Sequence, residues 1–161
     1  MAYEKFKEYL RREYRGPYLA TDIVIRYTNG EKQGIVLIER KNPPFGIALP
    51  GGIAERIPLY ENALKEAKEE TGLTIELDAP EFPLCVLSEL EQDPREFIAS
   101  VTYTAKGYGN LKPNPNEDAK RAFLCEESKL ENLLEKNIWA FPHHRKILKF
   151  YLERRQSEKS K

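Results

Sequence analysis

The chain has 161 residues, enough for one ordinary domain and too few for two separate cores. Lys and Arg together number 26 and Asp and Glu 26, so the formal charge is zero. That balance excludes a broadly basic nucleic-acid surface and a polybasic membrane anchor. Charged residues reach 32%, and with one Met and two Cys this leans toward a heat-stable protein. No apolar run approaches the roughly 20 residues of a membrane span, and Met1–Tyr14 is too charged for a signal peptide. Cys85 and Cys125 lack CxxC spacing, so two reduced thiols in a cytoplasmic protein are expected, with neither zinc nor disulfide.

Tyr3, Phe6, Tyr9, Leu10 and Tyr14 recur at helical spacing, and Gly16-Pro17 stops them, predicting a helix within residues 1–15. Such an aromatic stripe docks on its own domain or, alternatively, on a second copy. Ile23-Val24-Ile25 and Ile35–Ile38 flank Asn29-Gly30 and predict a hairpin. Lys41–Phe45, with two prolines, reads as a loop. Leu59–Thr71 reads as a helix closed by Gly72, with a strand at Leu73–Leu77. Further strands are expected at Leu84–Leu87, Phe97–Thr104 and Ala122–Leu124, with a Gly/Pro/Asn-rich loop over Lys106–Asp118. Two helical stretches follow, near Lys129–Lys136 and His144–Arg154, and Gln156–Lys161 reads as a frayed tail. This order predicts a single domain over 1–161, an α/β/α sandwich of the α+β type around a mixed sheet.

The informative segment runs from residue 51 to residue 73. It opens on Leu49-Pro50-Gly51-Gly52, where two glycines let the backbone approach a ligand closely. In the helix that follows, Glu66, Glu69 and Glu70 share an arc of about 100°. Like charges at i,i+3 and i,i+4 repel, and a divalent cation would turn that repulsion into attraction. Carboxylate oxygens completed by water and phosphate are what Mg²⁺ prefers. A solvated glutamate face held by Lys65 and Lys68 is the plainer reading, but it leaves the adjoining Gly-Gly turn unexplained.

Gly51-Gly52, Glu66, Glu69-Glu70 and Thr71-Gly72-Leu73 together resemble the Nudix box. The resemblance extends from about Thr21 to Leu148, and is nearest to short ADP-ribose pyrophosphatase-like members. Those share the look of Ala20-Thr21-Asp22, Leu37–Lys41, Asp93-Pro94-Arg95, Asp118-Ala119-Lys120 and a late His144. The resemblance implies an enzyme that hydrolyses a nucleoside diphosphate linked to another moiety, such as ADP-ribose, with Mg²⁺ or Mn²⁺. It implies metal held by Glu66, Glu69, Glu70 and the Gly51 carbonyl. It leaves the general base open between Glu66, Glu69 and, from the later loop, Glu117. It also raises the expectation of a homodimer. Two other readings stay open: a nucleoside triphosphate pyrophosphatase, and a nucleotide-binding module that does not cleave.

Three positions depart from the family pattern. Its first Glu falls at Ile57 or Pro58, depending on the direction of counting, and neither supplies it. The Arg before Glu66 is Lys65, and a His that often follows Asp-Pro-Arg is Phe97. The first two commonly pair, so a lost brace between loop and helix is expected. For substrate binding the candidates are Gly52, Arg95, whose guanidinium can grip an oxyanion, and Arg40 beside the preceding loop. Tyr27, Phe45, Phe97 and Tyr103 read as core. Trp139 and Phe141 read as packing, and the adjacent His143 and His144 as a cap or surface pair.

Overall fold

The computed structural model describes residues 2–161. Ala2–Arg12 forms helix α1, but none of its residues is buried, so its aromatic stripe does not dock on this domain. The hairpin joins β1 (Tyr18–Asn29) to β2 (Lys32–Arg40), and Gly30 adopts φ +62° as the first of the two turn residues, a position that favours glycine. The two strands pair only from Arg26↔Ile35 to Asn29↔Lys32 and then part. A wedge fills the gap: β3 (Gly46–Ala48) adds to β2, and β4 (Gly51–Ile53) adds to β1. Three-residue strands are too short to show a period, which is why the sequence does not reveal them.

Helix α2 (Leu59–Thr71) ends as expected, with Gly72 in the left-handed conformation at φ +79°. Strands β5 (Thr74–Leu77) and β6 (Cys85–Leu87) both pair with β7 (Ile98–Tyr108), which runs parallel to β1 along its length. β7 thus continues through Tyr108, into the segment that Gly and Pro content marks as loop. The chain closes with β8 (Ala119–Glu126) on β2, then α3 (Glu127–Leu134) and α4 (Pro142–Lys159). The expected frayed tail is helical through Lys159, which its polar composition conceals.

The result is an eight-stranded mixed sheet between helices. On one face, Ile23, Ile25 and Tyr27 pack with Ala63 and Ala67 of α2. On the other, Val24, Ile35 and Leu37 pack with Leu130 of α3 and Ile147 and Leu148 of α4. A central strand covered on both faces should read as a continuous apolar run, and Ile23-Val24-Ile25 does. Among the described residues no helix is long and apolar enough to cross a membrane.

Candidate active site

A cavity of about 420 Å³ opens where β1 and β2 part, large enough for a nucleotide-sized ligand. Its walls include Gly51, Gly52, Glu66, Glu69, Glu70, Glu117, Arg40 and Arg95. The fold therefore brings every residue singled out in the sequence into one place. It also brings in Asp22, Asp93, Asp118, Phe141, His143 and His144, which the sequence reading did not assign there.

The acidic wall belongs to α2. Ala63 and Ala67 face the core, which turns Glu66 and Glu70 inward beside them and leaves Glu69 at the rim. The Gly51 N–H donates to Glu70 Oε2 at 2.9 Å, so the turn touches the arc through its N–H. A Cβ at Gly52 would sit 2.5 Å from the Glu66 carboxyl carbon. Any larger residue there would have to displace the Glu66 carboxylate. Burial pushes the Glu70 carboxyl up to about 8, with repulsion from Glu66 adding to it and the Gly51 N–H opposing it. Burial likewise raises Glu66 to about 7, against the attraction of Lys65. Two buried, mutually repelling carboxylates with a third beside them fit a hard divalent cation.

The expected loss of the brace is corrected. Lys65 Nζ reaches Glu55 Oε1 at 2.8 Å, with Glu69 at 3.3 Å and Glu66 at 3.8 Å. An acid earlier in the loop thus takes the part that Ile57 and Pro58 cannot. Asn62 holds the same loop, accepting from the Glu55 N–H while donating to Thr21 Oγ1. Reversing Lys65→Glu is expected to lower the melting temperature by a few degrees and activity by about tenfold. Adding Glu55→Lys to that variant should recover at least half of both losses. A double variant no better than Lys65→Glu alone would show that the two residues do not act as a pair.

Glu117 arrives on a loop tied down at several points. Lys112 N–H donates to the Thr71 carbonyl and Asn114 N–H to the Glu69 carbonyl, capping the end of α2. At the other side Lys41 N–H donates to the Asp118 carbonyl, and Lys41 Nζ to that of Pro115. Asn42 Nδ2 donates to Asp118 Oδ1 at 2.5 Å. So held, Glu117 lies close enough to Glu66 to help raise its pKa.

Arg40 and Arg95 line the cavity too, each beside an acid, Arg40 with its Nη2 3.5 Å from Asp118 Oδ2 and Arg95 paired with Asp93. The Arg40 and Arg95 guanidiniums both lie over the Phe141 ring, at 5.1 Å and 5.2 Å from its centroid. Arg40 is buried and donates to the Pro44 carbonyl at 2.9 Å. Arg95 makes the turn-residue pair its position suggests, a fork onto Asp93 at 2.9 Å and 2.7 Å, and lines the cavity as well. Phe141 is therefore both a packing residue and a platform. Phe45, read from sequence as core, is mostly exposed instead, while Tyr27 and Tyr103 are buried as expected.

The histidines are the main miss. His143 and His144 are buried side by side, with ring centroids 4.6 Å apart, and both face Asp22. α4 starts at Pro142, so the pair falls in its first turn and points at the sheet rather than outward. The three residues present ligand atoms within 4.8 Å of one another. Yet the Leu49 N–H donates to His144 Nδ1 at 3.0 Å. His144 therefore carries its proton on Nε2, which leaves that nitrogen no lone pair for a metal. Each member is instead tied to a neighbour outside the cluster, His144 to Leu49, Asp22 to Ser100 and His143 to the Gln92 carbonyl. The available signal is Asp22 itself, an acid directly before the apolar run Ile23-Val24-Ile25.

A family model of the NUDIX domain matches residues 17–149. The chain belongs to the Nudix hydrolase family. Among solved structures, a MutT/nudix family protein from Enterococcus faecalis is 31% identical to this Nudix chain over 78% of its length, with a TM-score of 0.63. The chain spans 51%, about half, of that protein. The NUDIX domain of Shewanella oneidensis NrtR, crystallised with ADP ribose, gives a TM-score of 0.71 at 22% identity, covering 92% of this chain and 97% of that one. A bifunctional NMN adenylyltransferase/ADP ribose pyrophosphatase from Francisella tularensis was crystallised with AMP and a Mn ion. It gives 0.66 at 19% identity, covering 94% of this chain and 46% of that one. Comparison with curated proteins finds no match. At these identities the last two likenesses speak to the Nudix fold.

Proposed function

We propose that the protein is a Mg²⁺- or Mn²⁺-dependent pyrophosphatase of a nucleoside diphosphate linked to a sugar, ADP-ribose or a close analogue. The observation that carries this is that one cavity gathers Glu66, Glu69 and Glu70 together with the guanidiniums of Arg40 and Arg95. The glutamates suit a divalent cation, and the guanidiniums suit the phosphate oxygens of a substrate. A bound cation would neutralise those oxygens and lower the pKa of a water. The protein's own part is to hold the acids ready, to fix the diphosphate against Arg40 and Arg95, and to place a proton acceptor. Glu117 and Glu66 face that space, and either has the chemistry of a general base. Hydrolysis of ADP-ribose adds one water across the anhydride and yields AMP and ribose 5-phosphate.

We assign α1 to contact with a second copy of the chain. Its 11 residues bury nothing here, and a helix that short is marginal in water without a partner.

The test is chromatographic measurement of AMP formed from ADP-ribose, with EDTA, Mg²⁺ or Mn²⁺ present. Metal-dependent AMP is the expected result. Turnover of nucleoside triphosphates with ADP-ribose untouched would shift the assignment to that substrate class. Stabilisation by ADP-ribose without turnover of any nucleotide would make the protein a binding module.

A further inference from the structure

The turn Leu49-Pro50-Gly51 hangs on three hydrogen bonds to three different elements. Leu49 N–H donates to His144 Nδ1 of α4 at 3.0 Å, and Gly51 N–H to Glu70 Oε2 of α2 at 2.9 Å. Between them the Pro50 carbonyl accepts from Ile23 N–H of β1 at 2.9 Å. The turn lies flush on the sheet, since a Cβ at Gly51 would come within 2.2 Å of the Thr21 carbonyl oxygen.

His144 can accept from the turn in one tautomer only, the one with its proton on Nε2. Asp22 favours that tautomer, because its Oδ1 lies 3.3 Å from Nε2. Its other oxygen accepts from the Ser100 hydroxyl, which orients the carboxylate in turn. Burial works against ionising Asp22, yet the charge and hydrogen bonds around it outweigh that and hold its pKa below the ordinary value. Phe141 and His143 pack against the His144 ring, with centroids at 5.1 Å and 4.6 Å, and limit its rotation.

We infer that Asp22 and His144 form a positioning pair that sets the Leu49–Gly51 turn against Glu70, and so shapes the acidic wall from behind. The chain of contact runs from Ser100 through Asp22 and His144 to the turn and ends on α2. Neither residue touches a reacting group in this scheme. One of its two readouts rests on the proposed metal-binding function.

Three variants of the full chain test the pair. His144→Asn can place an amide oxygen near the Nδ1 position and keep the Leu49 bond. His144→Gln reaches toward Asp22 instead and leaves the Leu49 N–H without an acceptor. Asp22→Asn keeps an oxygen facing His144 Nε2 and can donate to Ser100. Amide hydrogen exchange at Leu49 and Gly51 reports on the turn, and Val24 reports on the fold as a whole. Mn²⁺ affinity, followed by electron paramagnetic resonance of the free ion, reports on the acidic wall.

His144→Gln is expected to speed exchange at Leu49 and Gly51 at least about tenfold with Val24 unchanged, and to weaken Mn²⁺ binding by about tenfold. Asp22→Asn should keep both within about threefold of the parent, and His144→Asn, which keeps the Leu49 acceptor but loses its reach to Asp22, should fall between the parent and His144→Gln. Parental behaviour in His144→Asn would take Asp22 out of the pair. Parental exchange in His144→Gln would overturn the inference, as would equal losses in the Asn and Gln variants. So would loss of Mn²⁺ binding by Asp22→Asn with Leu49 still protected, since Asp22 would then be a ligand. If His144→Gln loses Val24 protection too, the two Asn variants decide. If the parent itself binds no Mn²⁺, the proposed function fails and the exchange measurements still decide the pair.

Discussion

Glu70→Gln is expected to cut metal-supported turnover of ADP-ribose at least about a hundredfold while leaving the melting temperature unchanged or raising it. Both halves follow from one side chain. Glu70 is 3% exposed and accepts the Gly51 N–H, a bond that the amide oxygen of Gln can keep. What Gln removes is a charge that burial and Glu66 disfavour in the folded protein. Removing it relieves the fold and deprives the acidic wall of a cation ligand. An ordinary surface glutamate would show neither effect, and a purely structural one would show a loss of stability. Equal turnover in variant and parent, measured with Mg²⁺ and Mn²⁺ in turn, would take Glu70 out of the reaction.

Raising the pH of the metal-free protein from 6.5 to 8 should lower its melting temperature by several degrees. In the folded chain Glu66 and Glu70 hold protons up to about 7 and 8, whereas the ordinary value is 4.5. The folded state thus binds more protons than the unfolded one above 4.5, and stability falls as the pH climbs through the raised values. His143 acts in the opposite sense but in a lower window. Burial depresses it from 6.5 to about 4, so it favours the fold as the pH rises to 6.5 and adds nothing beyond. The range from 6.5 to 8 therefore isolates the glutamates, with an effect on the order of 1–2 kcal/mol. Saturating Mg²⁺ should flatten the dependence, and so should the double variant Glu66→Gln/Glu70→Gln. A slope that persists in that double variant would trace the effect to other groups.

The main elements of the fold were legible because their signals are local. The hairpin follows from Asn29-Gly30, α2 from its apolar spacing and Gly72, and the acidic arc from helical geometry alone. What escaped depends on contacts between distant segments. β3 and β4 exist only because β1 and β2 part and leave each an open edge. The substitute brace at Glu55 is invisible in the pattern, because spacing along the loop does not reveal where a flexible Lys65 will reach. His143 and His144 read as a cap or surface pair because adjacent residues are expected to point in different directions. Starting α4 at Pro142 turns both toward Asp22. Arg40, Arg95 and Phe141 come from three segments, and only the folded chain assembles them.

The position of β1 has a consequence for how the chain matures. Its antiparallel partner β2 follows after a two-residue turn, but its parallel partner β7 pairs Tyr18 with Ile98, about 80 residues later. A nascent chain emerging from its N-terminus can close the hairpin and the wedge early, then must wait with one edge of an apolar strand unprotected. Long-range parallel pairing of this kind is slow, and that interval is when the chain is most exposed to aggregation. Ser100 arrives with β7, and His144 only with the final helix. Completion of the sheet and completion of the cavity are thus late events, and a chain that stops short of α4 lacks part of its site.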